Sequence, residues 1–373
     1  MIKRILENTI KNKLNNNKVI VIYGARQTGK TTLLKSMFKR DNNTVWINAD
    51  RIDDKSLFEK ESLVNFKSFL SGKKMLIIDE AQRIENIGLK LKIIYDEMDI
   101  KIIATGSSSF DLANKINEPL TGRKFEYQLF PLSFEELANH TSVFDEYKKL
   151  PIRLVFGSYP DVVTDSDPRE ILKNLTTSYL YKDILEWDKI KKSDKILKLL
   201  QALAFQIGNQ VSYNELAQIV GINSVTIENY IDLLEKTFII FRLNSFSRNL
   251  RNELKKSKKI YFFDNGIRNA LINNFNLLEL RNDTGALWEN YLMSERYKFT
   301  GYHQIYTNRY FWRTKNQQEI DYIEERDGKL YAFEFKWNAN RKYKFPKKFL
   351  ESYPNNKTNI ITPENYFKFI TDF

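Results

Sequence analysis

A chain of 373 residues, 42% hydrophobic and 14% aromatic, carries enough apolar surface for two or three cores and is not globally disordered. It has no cysteine and only two histidines, His140 and His303, which excludes disulfide frameworks, thiolate zinc sites and histidine-rich metal sites, and fits a reducing cytoplasm. The net charge of +12 admits nucleic acid or another anionic partner, and any catalysis is left to carboxylates, lysines, arginines, hydroxyls and backbone amides.

The opening stretch MIKRILENTIKNKLNNNK sets Ile2, Ile5, Leu6, Ile10 and Leu14 near helical spacing. It reads as an amphipathic helix packed on the next domain, without the apolar core of a signal peptide. No apolar run approaches the roughly 20 residues that a membrane span needs, so no stable membrane association is expected. Val19 to Tyr23 follows as a buried strand. It feeds the loop Gly24, Ala25, Arg26, Gln27, Thr28, Gly29, Lys30, Thr31 and Thr32, the last residues of which open a helix. Glycines at both ends, a lysine and a hydroxyl in a strand–loop–helix setting are what a phosphate cradle requires. The backbone amides and the helix N-terminus face phosphate oxygens, Lys30 reaches the β and γ phosphates, and Thr31 ligates magnesium. The expected ligands are therefore a nucleotide and Mg²⁺.

TVWINAD reads as the next strand, and KKMLIIDEAQR as another that ends in Asp79-Glu80. Asp79 is the expected second magnesium ligand, and Glu80 the group that orients or deprotonates the attacking water. KIIATGSSSF is a strand ending in hydroxyls. Thr105 or Ser107 is a candidate γ-phosphate sensor, with a helix cap as the plain alternative. Arg123 is either a charge-stabilising arginine or an ordinary surface one.

This strand order resembles the additional-strand class of P-loop ATPases, in which the first strand lies between the fifth and the fourth. GARQTGKTTLL, LIIDEAQR, ATGSSSFDL, TGR, PLSFEEL and GSYPDVV together resemble a widespread family of prokaryotic AAA-like ATPases fused to a C-terminal domain of uncharacterised function. The resemblance implies a cytoplasmic ATP-binding protein and names no cellular process or oligomeric state.

Further on, VSYNELAQIVGINSVTIENYIDLLEKTFIIFRL reads as helix, turn at Gly221, helix and strand, a winged-helix pattern. The second helix carries Glu228, Asp232 and Glu235, which disfavour insertion into a nucleic-acid groove and leave protein docking or plain structure open. Val225, Ile227, Ile231 and Leu234 look like its core face. Residues 242–259 hold seven basic residues against one acid, Glu253. Arg248, Arg251, Lys255, Lys256, Lys258 and Lys259 are candidate contacts to a DNA backbone, or a solvated loop.

The last motif is QQEIDYIEERDGKLYAFEFKW, two strands joined at Asp327-Gly328. A two-residue turn pairs Arg326 with Lys329 and Tyr322 with Phe333, and sets Asp321 opposite Glu334 and Glu319 opposite Lys336. Facing carboxylates about 5 Å apart repel by about 3 kcal/mol at an effective dielectric of about 20. A bound metal ion, Lys336 or a raised pKa would relieve this. An acid followed by Glu-x-Lys on the next strand resembles the PD-(D/E)xK nuclease core. That implies Asp321, Glu334 and the upstream helical Glu289 as metal ligands and Lys336 as the water-activating group. The plain alternative is a solvated face with a Glu319–Lys336 salt bridge.

The expected class is thus α/β, with a P-loop ATPase parallel sheet over residues 1–145, a helical connector over 146–190, a winged-helix-like unit over 191–263 and a small restriction-endonuclease-like α/β domain over 264–373. The expected function is a Mg-dependent ATPase that couples nucleotide state to DNA binding or processing. The alternative is an ATP-dependent switch that binds a protein partner and carries an inactive nuclease-like domain.

Overall fold

The computed structural model describes residues 1–38, 41–58, 62–107, 116, 118–179, 193–247 and 258–373. The chain divides into two compact units. Unit 1 comprises Met1–Pro131 with Lys236–Phe238, and unit 2 comprises Leu132–Glu235 with Ile239–Phe373.

Unit 1 is built on a five-stranded parallel sheet of β1 (Val19–Tyr23), β2 (Thr44–Asn48), β3 (Met75–Asp79), β4 (Lys101–Gly106) and β5 (Lys124–Gln128), in the order β2-β3-β4-β1-β5. Read from its other edge, this is the additional-strand order. Every residue of β1 is buried, as a strand covered on both faces demands. Each large apolar side chain so buried contributes about 1.5–3 kcal/mol. Helices α1 (Leu6–Lys13), α2 (Lys30–Met37) and α3 (Ile87–Glu97) alternate with the strands. α1 buries Leu6 and Ile10. Arg4, just ahead of it, donates to the carbonyls of Thr28 and Phe130, each at 2.6 Å.

Unit 2 starts at Leu132, so α4 (Phe134–His140), capped by the Ser133–Glu136 capping box, belongs to it rather than to unit 1. α5 (Ser193–Phe205), α6 (Tyr213–Val220) and α7 (Ser224–Lys236) follow, with Gly221 in the left-handed conformation closing α6. Ile227, Ile231 and Leu234 of α7 are buried, but Val225 is 66% exposed and is not core. One seven-stranded sheet joins the strands of this unit. β6 (Gln210–Val211), β7 (Ile240–Ser245), β8 (Lys258–Phe262), β9 (Asn308–Arg313), β10 (Glu319–Arg326), β11 (Lys329–Phe335) and β12 (Asn356–Ile361) run in the order β12-β11-β10-β9-β7-β8-β6. β7 pairs with β9 in parallel, through Asn244–Tyr310 and Ser245–Phe311. The expected boundary at residue 263 therefore falls inside a continuous sheet.

The hairpin register pairs Arg326 with Lys329 and Tyr322 with Phe333. A register shift between Ile320 and Ile323 against β9 sets Ile320 and Tyr322 on opposite sides of the hairpin. Ile320 joins Ile323, Leu330, Ala332, Trp312 and Phe349 in one core, while the rings of Tyr322, Phe333 and Phe335 gather round Phe369 on the other side. Neither side of the hairpin is a solvated face. α8 (Asn265–Leu271) and α9 (Thr284–Tyr302) complete the unit. α9 is buried nearly all round, so its polar residues need partners inside the protein. Asn290 accepts from the Phe262 amide at 2.7 Å and donates to its carbonyl at 3.0 Å. Arg296 grips both oxygens of Glu324, at 2.6 and 2.8 Å. Among the described residues no helix is long and apolar enough to cross a membrane.

Candidate functional site

The loop after β1 is shaped by two glycines. A Cβ on Gly24 would lie 2.3 Å from the carbonyl oxygen of Leu129, a backbone atom that cannot yield. Gly29 has φ +93°, which only glycine adopts readily. α2 starts immediately after it at Lys30. Lys30 is buried, and its ammonium folds onto the loop's own carbonyls, 2.8 Å from Gly24 and 3.0 Å from Ala25. Thr28 also ties to the Ala25 carbonyl at 2.9 Å. Arg26 and Gln27 form the tip of the turn, with Gln27 at φ 60°, and Thr32 is exposed on the first turn of α2.

Three side chains from three elements meet beside this loop. Thr31 of α2 donates to one oxygen of Asp79 at 2.6 Å, and Thr105 of β4 donates to the other at 2.5 Å. Thr105 in turn accepts from the Glu80 amide at 3.2 Å. Adjacency of β3, β4 and β1 makes this meeting unavoidable, because parallel strands deliver their C-terminal ends to one edge. Glu80 has left-handed backbone, φ 55°. Its carboxylate accepts from Gln82 at 2.5 Å, and Gln82 also donates to Ser107 at 3.0 Å. Gln82 lies two residues beyond the acidic pair, and nothing in that spacing marks it as part of the site. A hydroxyl and a carboxylate side by side, next to a glycine-shaped amide cradle with a buried lysine, suit a magnesium-bound polyphosphate.

Arg123 is elsewhere. Its carbonyl accepts from the amide of Val19, at the N-terminal start of β1, and its guanidinium pairs with Asp96 at 2.9 Å. Five strand residues, about 16 Å, separate that edge from the loop. Arg123 therefore cannot sense the γ-phosphate bound by its own chain.

In unit 2 a second group of charges assembles. Lys259 of β8 bonds Glu289 at 3.0 Å and Glu319 at 2.5 Å, with its side chain 2% exposed. Tyr261 donates to the same Glu289 oxygen at 2.6 Å. Asp321 accepts from the amide of Phe335 at 2.8 Å, and Lys336 pairs with Glu334. Burial, then the charges of Glu289 and Glu334, push the Asp321 carboxyl well above the usual range, against the pull of Lys259 and the Phe335 amide. Burial likewise raises Glu334, against Lys336. For Lys259, burial pulls the pKa down, but the surrounding carboxylates of Glu289, Asp321 and Glu319 win and hold it above the ordinary value.

These positions correct several expectations. Lys259 is buried in an acidic cluster, so it is not a contact to a DNA backbone. Lys258 is half-buried with its ammonium 5.2 Å from the centre of the Tyr213 ring. Arg248, Arg251, Lys255 and Lys256 lie outside the described residues. Glu319 pairs with Lys259 and, at 3.3 Å, with Arg313, not with Lys336. Glu289, Asp321 and Glu334 share one neighbourhood, yet among the described residues no group of three or more histidine or acidic side chains is arranged to hold a metal ion. Lys259, Tyr261, the Phe335 amide and Lys336 bond to them instead. On α7, Asp232 and Glu235 are both engaged by Arg242, while Glu228 is exposed.

Residues 16–138 match an AAA domain. Residues 147–278 and 284–370 match two models that are each described as a domain of unknown function. An uncharacterised protein of Mycobacterium tuberculosis is 25% identical over 334 residues, which are 88% of this chain and 72% of that one. An uncharacterised protein of Methanocaldococcus jannaschii is 26% identical over 343 residues, 86% of this chain and 75% of its own. A Walker-type ATPase of Pyrococcus abyssi, of known structure, is similar over 73% of this chain and 96% of its own, with 17% identity and a TM-score of 0.49. The AAA match thus spans the five-stranded sheet, with Asp79 at the end of β3, Lys30 at the start of α2 and Glu80 just after β3, and runs on into α4.

Proposed function

We propose that the AAA domain binds ATP with Mg²⁺ and hydrolyses it, and that nucleotide state controls what unit 2 holds. The observation that carries this reading is the chain of hydrogen bonds from Thr31 through Asp79 to Thr105 beside a glycine-shaped loop. Bound Mg-ATP supplies the phosphoanhydride and a divalent charge next to it. Lys30, released from the carbonyls of Gly24 and Ala25, binds the terminal phosphates along with the amides of Ala25 to Thr32. Thr31 and Asp79 hold the cation. Glu80 accepts a proton from the attacking water. Thr105 and Ser107 feel the position of Asp79, Glu80 and Gln82, and so report whether the γ-phosphate is in place.

For unit 2 the reading is a winged-helix-like part, α5 to α7 with β7 and β8, joined to a nuclease-like part, α9 with β9 to β12. The basic residues Arg248, Arg251, Lys255 and Lys256 of the sequence and the net charge of +12 favour DNA as the partner. A protein partner is favoured instead by α7, where Glu228 is exposed and Arg242 is consumed by Asp232 and Glu235. Turnover of ATP by the purified full chain, with and without DNA and at several salt concentrations, decides between them. DNA-stimulated, salt-sensitive turnover supports the first reading and DNA-indifferent turnover the second. Lys30→Ala should lose ATP binding and turnover. Glu80→Gln should keep binding and lose turnover by about 10²–10⁴-fold. Full turnover in Glu80→Gln would remove Glu80 from the water-activating role.

A further inference from the structure

The acidic cluster of unit 2 has its own cation. Glu289, Glu319, Asp321 and Glu334 come from one helix and two strands, and Lys259, Lys336 and Arg313 stand among them. Lys259 is the most deeply placed of these bases. Its backbone is locked between two ladders, opposite Leu243 of β7 and Gln210 of β6, and its ammonium lies 5.5 Å from the centre of the Phe311 ring. It has no route to solvent, since the residue is 1% exposed. A lysine this buried stays charged only because carboxylates surround it. It holds Glu289 and Glu319 directly, 3.0 and 2.5 Å away, and Tyr261 reinforces the grip on Glu289. Asp321 is turned to the amide of Phe335 and Glu334 to Lys336. A divalent ion at Glu289, Asp321 and Glu334 would face the ammonium of Lys259 across a poorly screened interior, where like charges a few ångströms apart repel strongly.

We propose that Lys259 is the permanent cation of this cluster, supplying the positive charge that a nuclease of this type would take from a metal ion, so that unit 2 makes no metal-dependent cut in nucleic acid. The proposal does not depend on ATP hydrolysis by unit 1. On this reading the cluster is structural, tying α9 to β8 and β10 through charge.

The test uses the full chain carrying Asp79→Asn, which silences the cation site of the AAA domain, and Mn²⁺ as the probe. With Lys259 present, titration of free Mn²⁺ by electron paramagnetic resonance should show no bound ion that Asp321→Asn removes. Lys259→Met should gain such an ion, with a matching rise in melting temperature on adding Mn²⁺, and Asp321→Asn should abolish both. The chain with an intact Asp79 should leave supercoiled plasmid intact in Mg²⁺ or Mn²⁺. An Asp321-dependent Mn²⁺ site in the presence of Lys259 would overturn the proposal, as would nicking that Lys336→Ala abolishes. A folded Lys259→Met that takes up no Mn²⁺ would also overturn it. If Lys259→Met does not fold, the arms that keep Lys259 decide the matter alone.

Discussion

Gln82 reaches back across a single 3₁₀ turn, Ala81–Arg83, to hold the Glu80 carboxylate that precedes it in sequence. Glu80 sits in left-handed backbone, a conformation that costs a non-glycine residue about 1–3 kcal/mol and must be held by its surroundings. The direction of its carboxylate is therefore set by Gln82 and, through it, by Ser107. Gln82→Ala is expected to lower kcat by about tenfold to a hundredfold with little change in KM, because it loosens the group that positions water rather than the groups that bind phosphate. Steady-state kinetics check this; a raised KM with unchanged kcat would make Gln82 a binding residue. The acids of this motif are legible in sequence because an apolar run that ends in Asp-Glu downstream of a phosphate loop is rare outside nucleotide-binding sheets. Gln82 is not, because no spacing rule says that a residue two positions later folds back. Lys259 escapes a sequence reading for a related reason. In a run of basic residues, sequence does not reveal which one the strand turns inward, and the carboxylates that receive it are 30 and 60 positions away.

At the level of elements, four of the five strands of unit 1 are readable from their runs and endings, whereas β5, with the sequence KFEYQ, has no such run. The hairpin register is readable from Asp327-Gly328, but the shift between Ile320 and Ile323 is not, since it arises from pairing with β9 rather than from the turn. The same limit applies to α4 and α9, whose contact has no local signature. Just past the end of α9, His303 bonds Glu135 of α4, its ring nitrogen 2.8 Å from one carboxylate oxygen. The hydrogen bond to Glu135 raises the His303 pKa, burial opposes it, and the charges of Glu135 and Asp372 add to the rise. A raised folded-state pKa stabilises the protein fully below the ordinary value of 6.5, and the gain is lost as pH climbs through the raised value. His303→Gln should therefore cost about 0.5 kcal/mol more in mildly acidic than in alkaline solution. Urea denaturation at both pH values measures it. A cost that is independent of pH would mean that His303 acts by shape alone.

At the scale of the whole molecule, the sheet of unit 2 decides which pieces of the chain can stand alone. Sequence divides residues 191–263 from 264–373, because a helix-turn-helix pattern gives way to a strand-rich one. The structure joins them through the β7–β9 ladder, the Asn290 bonds to Phe262, and Lys259 between Glu289 and Glu319. A fragment of residues 264–373 would lose all three. Removing one partner of a buried ion pair costs about 3–5 kcal/mol, and here one lysine serves two carboxylates. Domains of this size have only about 5–15 kcal/mol to lose, and β9 would in addition present an unpaired edge. The fragment 264–373 is thus expected to lack a cooperative thermal transition and to aggregate, whereas residues 132–373 should melt as one cooperative body. Circular dichroism in the aromatic region, followed through heating, distinguishes these outcomes. A sharp transition in the shorter fragment would show that β9 to β12 and α9 carry a sufficient core without β6 to β8, and that the charge of Lys259 is dispensable for folding. Its absence there, with a sharp transition in the longer one, would make the shared sheet the unit of folding.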